Sequence, residues 1–349
     1  ARFLSNNYLS QNESYGDLED TMPKVVVIGG GWSGCTAALT AKKAGADVVL
    51  VERTDCLLGT GLVGGIMRNN GRFTATEETI AMGGGDLFLL ADKVARHSNI
   101  EFPGHKHASL YDVSLMEPTV RRYLEGQGIE LWMMKRATAV TKKDGKIQAV
   151  SMETGERIEG DVFVETTGTA GPQGNCLKYG NGCAMCILRC PSWGGRVSIA
   201  ARAGVKEFMG TRPGGGFGAM SGSCKLHKDS VDPSIIAELN RVGAVLVPIP
   251  KALVHKEKLA IKSCQQYNLP EYAENLILLD TGHVKLMTPF FPLEELRSVP
   301  GMENSRYEDP YAGGKGNSIR YLALAPRDDQ LKVEGVDNLF CAGEKAGLL

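Results

Sequence analysis

The pattern of apolar and polar positions changes character at Lys24. Residues 1–23 are polar, rich in Asn, Ser, Asp and Glu, and read as an arm. Val25-Val26-Val27-Ile28 is then an unbroken apolar, β-branched run, the pattern of a strand covered on both faces of a parallel sheet. A glycine-rich turn follows. Ser33 to Lys43 reads as a helix stopped by Gly45, and Asp47 to Glu52 is a second buried strand. Together these predict a βαβ unit of about thirty residues. Thr74 with Glu77 is a capping-box signature and predicts a helical stretch toward His97, broken at Gly83-Gly84-Gly85. A further helix is predicted over Val113–Gln127, ended by Gly128. Short strands are predicted at 130–134, 136–142, 146–153 and 156–159, with Asp144-Gly145 as a hairpin turn. Asp161 to Thr166 is another apolar strand, leading into Thr167-Gly168. Residues 172–316 lose this regularity and are rich in Gly, Pro, Cys and Lys; α/β periodicity resumes over Ile319–Ala325 and Asn338–Ala342. The expected architecture is therefore α/β. A Rossmann-like domain with a parallel sheet and a β-meander is built from residues 24–171 and 317–349, and an α+β cap is inserted at 172–316.

Composition adds limits. The 39 Lys and Arg balance 40 Asp and Glu, a net charge of −1, so no global field recruits nucleic acid or an anionic membrane. The 43 glycines show no collagen period and suit many close backbone approaches to a ligand. No apolar run approaches the roughly 20 residues of a spanning helix. The first residues lack the apolar core of a secretion signal, so a cytoplasmic protein is expected. The chain begins at Ala1 without Met and stops at Leu349, so the closing segment is read as truncated.

Gly29-Gly30-Gly31-Trp32-Ser33-Gly34 is a G-x-G-x-x-G that follows a strand and opens a helix, with Glu52 at the end of the next strand. Gly29 permits a tight turn, Gly31 lets a pyrophosphate approach the backbone, and Gly34 allows close helix–strand packing. The helix N-terminus supplies N–H donors and positive potential. Glu52 can accept hydrogen bonds from both ribose hydroxyls, and its charge disfavours the 2′-phosphate of NADP. A plain glycine turn in an ordinary α/β unit is the alternative.

Three distal segments bear on which dinucleotide binds. The meander followed by Glu159–Thr169 (EGDVFVETTGT) resembles the returning segment of the glutathione-reductase-type FAD domain. Val336–Glu344 (VDNLFCAGE) resembles that superfamily's last FAD segment, and Gly64-Gly65 resembles the glycine doublet beside the flavin. Gly64-Gly65-Ile66, Glu77–Phe88 (EETIAMGGGDLF), Thr166-Thr167-Gly168-Thr169 and LFCAGE together resemble the glucose-inhibited division protein A group. That group includes FAD enzymes that modify tRNA wobble uridine. The resemblance implies an FAD-dependent oxidoreductase. Its cofactor contacts would come from Gly29, Gly30, Gly31, Trp32, Ser33, Gly34, Glu52, Arg53, Gly64, Gly65, Ile66, Ala137, Thr167, Gly168, Gly343 and Glu344. No general acid or base stands out. The tRNA-modifying members carry a cysteine a few residues before the glycine doublet. Here that stretch is Gly59-Thr60-Gly61-Leu62-Val63, with Cys56 upstream.

Nine cysteines in a chain without a secretion signal favour metal or redox chemistry over disulfides. Cys176, Cys183, Cys186 and Cys190 run C-x6-C-x2-C-x3-C, and Pro191 follows. The last three resemble the tail of a ferredoxin-type run, so a 4Fe–4S cluster is expected. Zinc held by four thiolates and four plain thiols are the alternatives. A one-electron centre beside a flavin would let electrons pass singly to a redox partner protein. The expected function is thus electron exchange between FAD and this cluster. A tRNA uridine-modifying enzyme with zinc or thiols, and a non-catalytic electron-transfer subunit, are the alternatives. A small-molecule substrate and a homo-oligomer are compatible with the reading; a membrane or nucleic-acid partner is not expected from the charge.

Other chemistry-bearing residues read more plainly. Cys35 and Cys341 are expected in the core, and Cys56, Cys224 and Cys264 take no assigned role. His105 and His107 are expected in a solvated loop, and His283 is ambiguous. Arg212 to Gly218 reads as a flexible loop, and Lys251–Lys262 as the solvated face of a basic amphipathic helix.

Overall fold

The computed structural model describes residues 22–63, 76–168, 170–171, 193–209, 224–254, 269–287, 293–307, 320–324, 326 and 330–346. Gly64, Gly65, Ile66, Thr74, the four clustered cysteines, Cys264, the Arg212–Gly218 loop and most of Lys251–Lys262 lie outside the described residues.

The chain opens with strand β1 (Lys24–Ile28), helix α1 (Trp32–Lys43), strand β2 (Asp47–Val51) and the short helix α2 (Thr60–Val63). Helices α3 (Thr76–Ala81) and α4 (Asp86–Lys93) precede a hairpin of β3 (Ala95–Phe102) and β4 (His105–Tyr111), then helix α5 (Val113–Gly126). Strand β5 (Glu130–Trp132) returns to the first unit. A meander of β6 (Ala137–Lys143), β7 (Lys146–Met152) and β8 (Arg157–Glu159) follows, then β9 (Val162–Glu165) and β10 (Ala170–Gly171). Beyond these come α6 (Ile199–Arg202), β11 (Phe208–Met209), β12 (Cys224–Leu226), α7 (Pro233–Val242), β13 (Ala244–Pro248), β14 (Asn275–Asp280) and β15 (Val284–Leu286). Strands β16 (Arg320–Ala323) and β17 (Leu339–Cys341) come last.

Five strands form the central parallel sheet in the order β17-β9-β1-β2-β5. Val26, Val27, Val48, Val49 and Leu50 have no exposed surface. Such strands need apolar side chains on both pleats, which is why VVVI and VVLV read as continuous runs. The last strand pairs with β9 although about 170 residues separate them. Asn338, just before β17, is buried. Its side chain accepts from the Ile147 amide at 2.8 Å and donates to the carbonyls of Ile147 (2.8 Å) and Asp161 (3.1 Å). One amide side chain thereby joins the meander, β9 and β17. A separate antiparallel sheet, β12-β15-β14-β13, carries its own core of Leu226, Leu239, Leu276, Leu278 and Leu286.

The helix expected toward His97 stops early. Helix α4 ends at Lys93, and residues 95–111 form an antiparallel hairpin turned at Gly104. Strand β3 has one covered face, few apolar residues and several register shifts, with Asn99 in the left-handed region. Those irregularities erase the two-residue period that would announce a strand. His105 is accordingly no solvated loop residue: it is buried at the start of β4, its ring 4.4 Å from that of Phe102. Asp280, fully buried at the end of β14, accepts from Arg96 and from His97 Nε2, both at 2.9 Å. Burial alone would raise the Asp280 carboxyl; these bonds outweigh it and hold it below the usual range. This contact fastens the hairpin to the second sheet. Among the described residues no helix is long and apolar enough to cross a membrane.

Candidate cofactor site

The carboxyl ends of β1, β2, β9 and β17 meet at the glycine turn. Gly29 has φ +109°, a conformation that L side chains rarely adopt, and a Cβ there would lie 2.5 Å from the Thr166 carbonyl oxygen. Thr166 closes the turn from the far side. Its amide donates to the Ile28 carbonyl at 2.9 Å, and its hydroxyl lies 2.9 and 2.7 Å from the carbonyls of Ile28 and Gly29. At Gly34 a Cβ would fall 1.8 Å from the Gly29 carbonyl oxygen, so α1 can approach β1 this closely only without a side chain. Gly31 is different. A Cβ there would meet nothing within 4 Å, so its side faces open space beside the helix N-terminus. The first intrahelical bond runs from Cys35 N–H to the Gly31 carbonyl at 2.9 Å, which leaves the first-turn amides of Trp32, Ser33 and Gly34 directed outward.

Glu52 is buried and does more than the ribose role expected of it. Oε2 accepts the Gly30 amide at 2.7 Å; Oε1 accepts the Thr54 amide at 2.8 Å and the Thr54 hydroxyl at 2.9 Å. The two oxygens of a carboxylate offer about four acceptor directions; three are taken, so about one remains, on Oε2, for a ribose hydroxyl. Past Thr54 the chain folds back. Leu58 adopts φ +71°, and its amide donates to the Gly30 carbonyl at 2.7 Å. Cys35 is core, its thiol pushed up to about 12 mainly by burial. Cys341 is buried too, and Cys56 is half-buried.

The remaining expected site residues divide. Gly343, at φ +71°, abuts α1, because a Cβ there would come 2.6 Å from Ser33. The Ala342 amide donates to the Glu165 carbonyl at 3.2 Å, so Thr167, Gly168 and Gly343 follow adjacent strand ends. The Trp32 ring turns away into the core, 5.5 Å from the ring of Phe88 and 6.0 Å from that of Tyr111, against Gly61. Arg53 donates to the Gly194 carbonyl at 2.6 Å and holds the segment after the cysteine-rich stretch. Ala137 is buried at the start of β6, opposite Met152.

Sequence reading missed a second layer. Glu165, fully buried, accepts the Ala200 amide at 2.9 Å and the Ser198 hydroxyl at 3.3 Å, and also bonds Thr167. Glu207 takes a two-pronged contact from Arg196, at 2.9 and 3.1 Å, and a further one from Lys345. The only signal in the sequence was a charged residue inside an apolar run, as in VFVETT. Among the described residues no group of His, Cys, Asp or Glu is arranged to hold a metal ion.

Open space at Gly31, a glycine-tight helix entry and a buried acid on the second strand fit a dinucleotide. Fold and site define a Rossmann-like fold of the FAD-binding type. The chain belongs to the glucose inhibited division protein A family, whose description matches residues 24–268. Among curated proteins it resembles the tRNA uridine 5-carboxymethylaminomethyl modification enzyme MnmG of Endomicrobium trichonymphae. The two are 32% identical over 161 residues, 42% of this chain and 25% of that one. Two crystal forms of Aquifex aeolicus GidA share the fold, with TM-scores of 0.59 and 0.55 at 15% and 14% identity. They cover 94% of this chain in both cases, and 60% and 63% of theirs. The chain thus spans a quarter of the curated relative and about three-fifths of the solved ones.

Proposed function

We propose that the protein is an FAD-dependent enzyme acting on a uridine of tRNA, in the cytoplasm, with FAD held at the glycine cradle. The observation that carries this reading is the likeness to a tRNA uridine-modifying enzyme, together with the cradle at Gly29–Gly34 and Glu52. In this reading residues 24–171 and 317–349 make the FAD-binding part and 172–316 the inserted cap. When bound, FAD supplies two-electron redox chemistry. The first-turn amides of α1 and the bare Gly31 backbone take the pyrophosphate. Glu52 would accept one ribose hydroxyl through Oε2 while fixing the Gly30 amide. Thr167, Gly168 and Gly343 lie at the adjacent strand ends that the rest of the cofactor would follow, and the family resemblance adds Gly64, Gly65, Ile66 and Glu344 to its contacts.

The test is nucleoside mass spectrometry of tRNA from cells lacking the gene and from the same cells complemented. A modified uridine that disappears and is restored supports the reading. An unchanged nucleoside profile overturns it.

A second reading is favoured by one observation, the C-x6-C-x2-C-x3-C-Pro spacing of Cys176, Cys183, Cys186 and Cys190. There the protein relays electrons between FAD and a 4Fe–4S cluster, with a redox partner protein or a small molecule at the other end. Iron and zinc analysis with an anaerobic spectrum separates the two. About four iron per chain and a shoulder that bleaches on reduction favour the relay. One zinc or no metal removes it.

A further inference from the structure

Two arginines reach from the carboxyl ends of β2 and β5 to one irregular segment. Arg53 follows Glu52 directly, and its Nη1 donates to the Gly194 carbonyl at 2.6 Å. Arg136 lies shortly beyond β5. Its Nε donates to the Gly195 carbonyl at 2.9 Å, and its Nη1 pairs with Glu153 at 3.0 Å. The stretches that carry the two arginines are tied to each other. The Lys135 amide donates to the Glu52 carbonyl at 2.9 Å, and the Met134 amide to that of Thr54 at 3.0 Å. Residues 194–198 belong to no helix or strand, so bonds from other elements set their course.

The fit is tightest at Gly194. It has φ +74°, and a Cβ there would lie 2.8 Å from both Cζ and Nε of Arg136, so the guanidinium lies against bare backbone. The same segment is fastened again downstream. Arg196 grips Glu207 at 2.9 and 3.1 Å, and the Ser198 hydroxyl lies 3.3 Å from Glu165. In an open parallel sheet a dinucleotide lies outside the carboxyl ends of the strands, with its ribose at the acid that ends the second strand. Glu52 is that acid, and the Gly194–Gly195 turn is bonded to its neighbour in the chain. The turn therefore stands at the adenosine end of the cradle, away from the strand ends of β9 and β17.

We propose that the Gly194–Gly195 turn is a wall of the adenosine end of the dinucleotide site, with Arg53 and Arg136 as the positioning residues that hold it there. The proposal rests on the FAD reading and names the part of that site that meets the nucleotide half of the cofactor. The coupling runs both ways: a wall already in place lowers the ordering cost of binding, and bound adenosine keeps the wall in place.

The experiment is hydrogen exchange read by mass spectrometry on the purified chain, flavin-loaded and freed of flavin, the latter also with ADP or FMN added. ADP carries the adenosine and pyrophosphate of FAD, whereas FMN carries the flavin and one phosphate. Amides exchange through local opening, so each segment reports its own closure. In wild type, ADP is expected to slow exchange at residues 194–198 at least tenfold, and FMN to leave it unchanged. The sheet β12-β15-β14-β13 is the internal reference, because global stabilisation by a ligand would slow its amides too. Arg53→Met and Arg136→Met are expected to exchange fast at 194–198 with or without ADP and to release FAD at least tenfold faster, with the reference sheet at wild-type rates. A merely structural bond would leave the ADP response intact in both variants. If a variant fails to fold, the wild-type comparison of ADP with FMN still decides. No ADP effect at 194–198 in a protein that binds FAD, an equal effect of FMN, or ADP protection that survives in both variants overturns the proposal while the FAD reading stands. A purified protein that carries no flavin spectrum and takes up no added FAD overturns both.

Discussion

The Glu52 carboxylate and the Gly30 amide are joined at 2.7 Å across the βαβ turn, which makes the acid a structural part of the glycine loop as well as its expected ribose acceptor. Both Glu52 oxygens accept from donors, through Gly30 and through Thr54. Glu52→Ala should therefore strand buried donors and lower stability by about 2–4 kcal/mol, roughly one to three for each such group. Glu52→Gln should recover only part, because its NH2 would face a donor. Chemical denaturation checks this. A Gln variant as stable as wild type would show that the acid's bonds within the loop contribute little.

Gly34 and Gly31 separate packing from binding. Gly34→Ala drives a Cβ into the Gly29 carbonyl and should destabilise by about 3 kcal/mol or more, as overpacking against backbone does. Gly31→Ala meets open space, so its stability without cofactor should stay within about 0.5 kcal/mol of wild type. Its retention of FAD should nonetheless fall at least tenfold if a pyrophosphate passes there. Flavin absorbance after gel filtration, read beside a denaturation curve, measures both. Normal flavin content in the Gly31→Ala variant would place the pyrophosphate elsewhere.

These two glycines also show what the sequence could carry. Parallel strands β1 and β2 are covered on both faces, so each reads as a plain apolar run, and the glycine spacing between them is rigid chemistry. Strand β3 is covered on one face and bulged, so its residues look like a helix tail. Glu165, the Arg196–Glu207 pair and Lys345 come from separate stretches of the sequence and are brought together beside the neighbouring strands β9 and β17. No local period marks such a group. For His105, flanking Gly and Lys suggested solvent, yet the hairpin folds its ring onto Phe102 beneath the second sheet.

Asn338 ties three strands with one side chain. Replacing it with Ala leaves the Ile147 amide and carbonyl and the Asp161 carbonyl without this partner. A loss of about 2–4 kcal/mol is expected. Asn338→Asp keeps the acceptor for the Ile147 amide but faces its two carbonyls with charge, so it should cost at least as much. Thermal unfolding of both variants decides this. Normal stability in the Asn338→Asp variant would mean that the carbonyl contacts are dispensable.

His105 links stability to pH. Burial first, and the positive charge of Lys285 second, push its ring down to about 4 from an ordinary value near 6.5. The folded protein therefore holds this ring neutral over a range in which the unfolded chain protonates it. Stability from this group is complete above about pH 6.5. It falls as pH drops from there toward 4, because the unfolded state binds the extra proton. The full difference amounts to about 3 kcal/mol, at 1.36 kcal/mol for each pH unit. His105→Phe keeps an aromatic ring against Phe102 without a titrating nitrogen, so its stability curve should flatten over the same window. Urea unfolding of both proteins at pH 7, 6, 5 and 4 makes the comparison, with other groups cancelling in the difference. Parallel curves would mean that the ring is protonated in the folded protein as readily as in the unfolded chain, and that Lys285 does not oppose it.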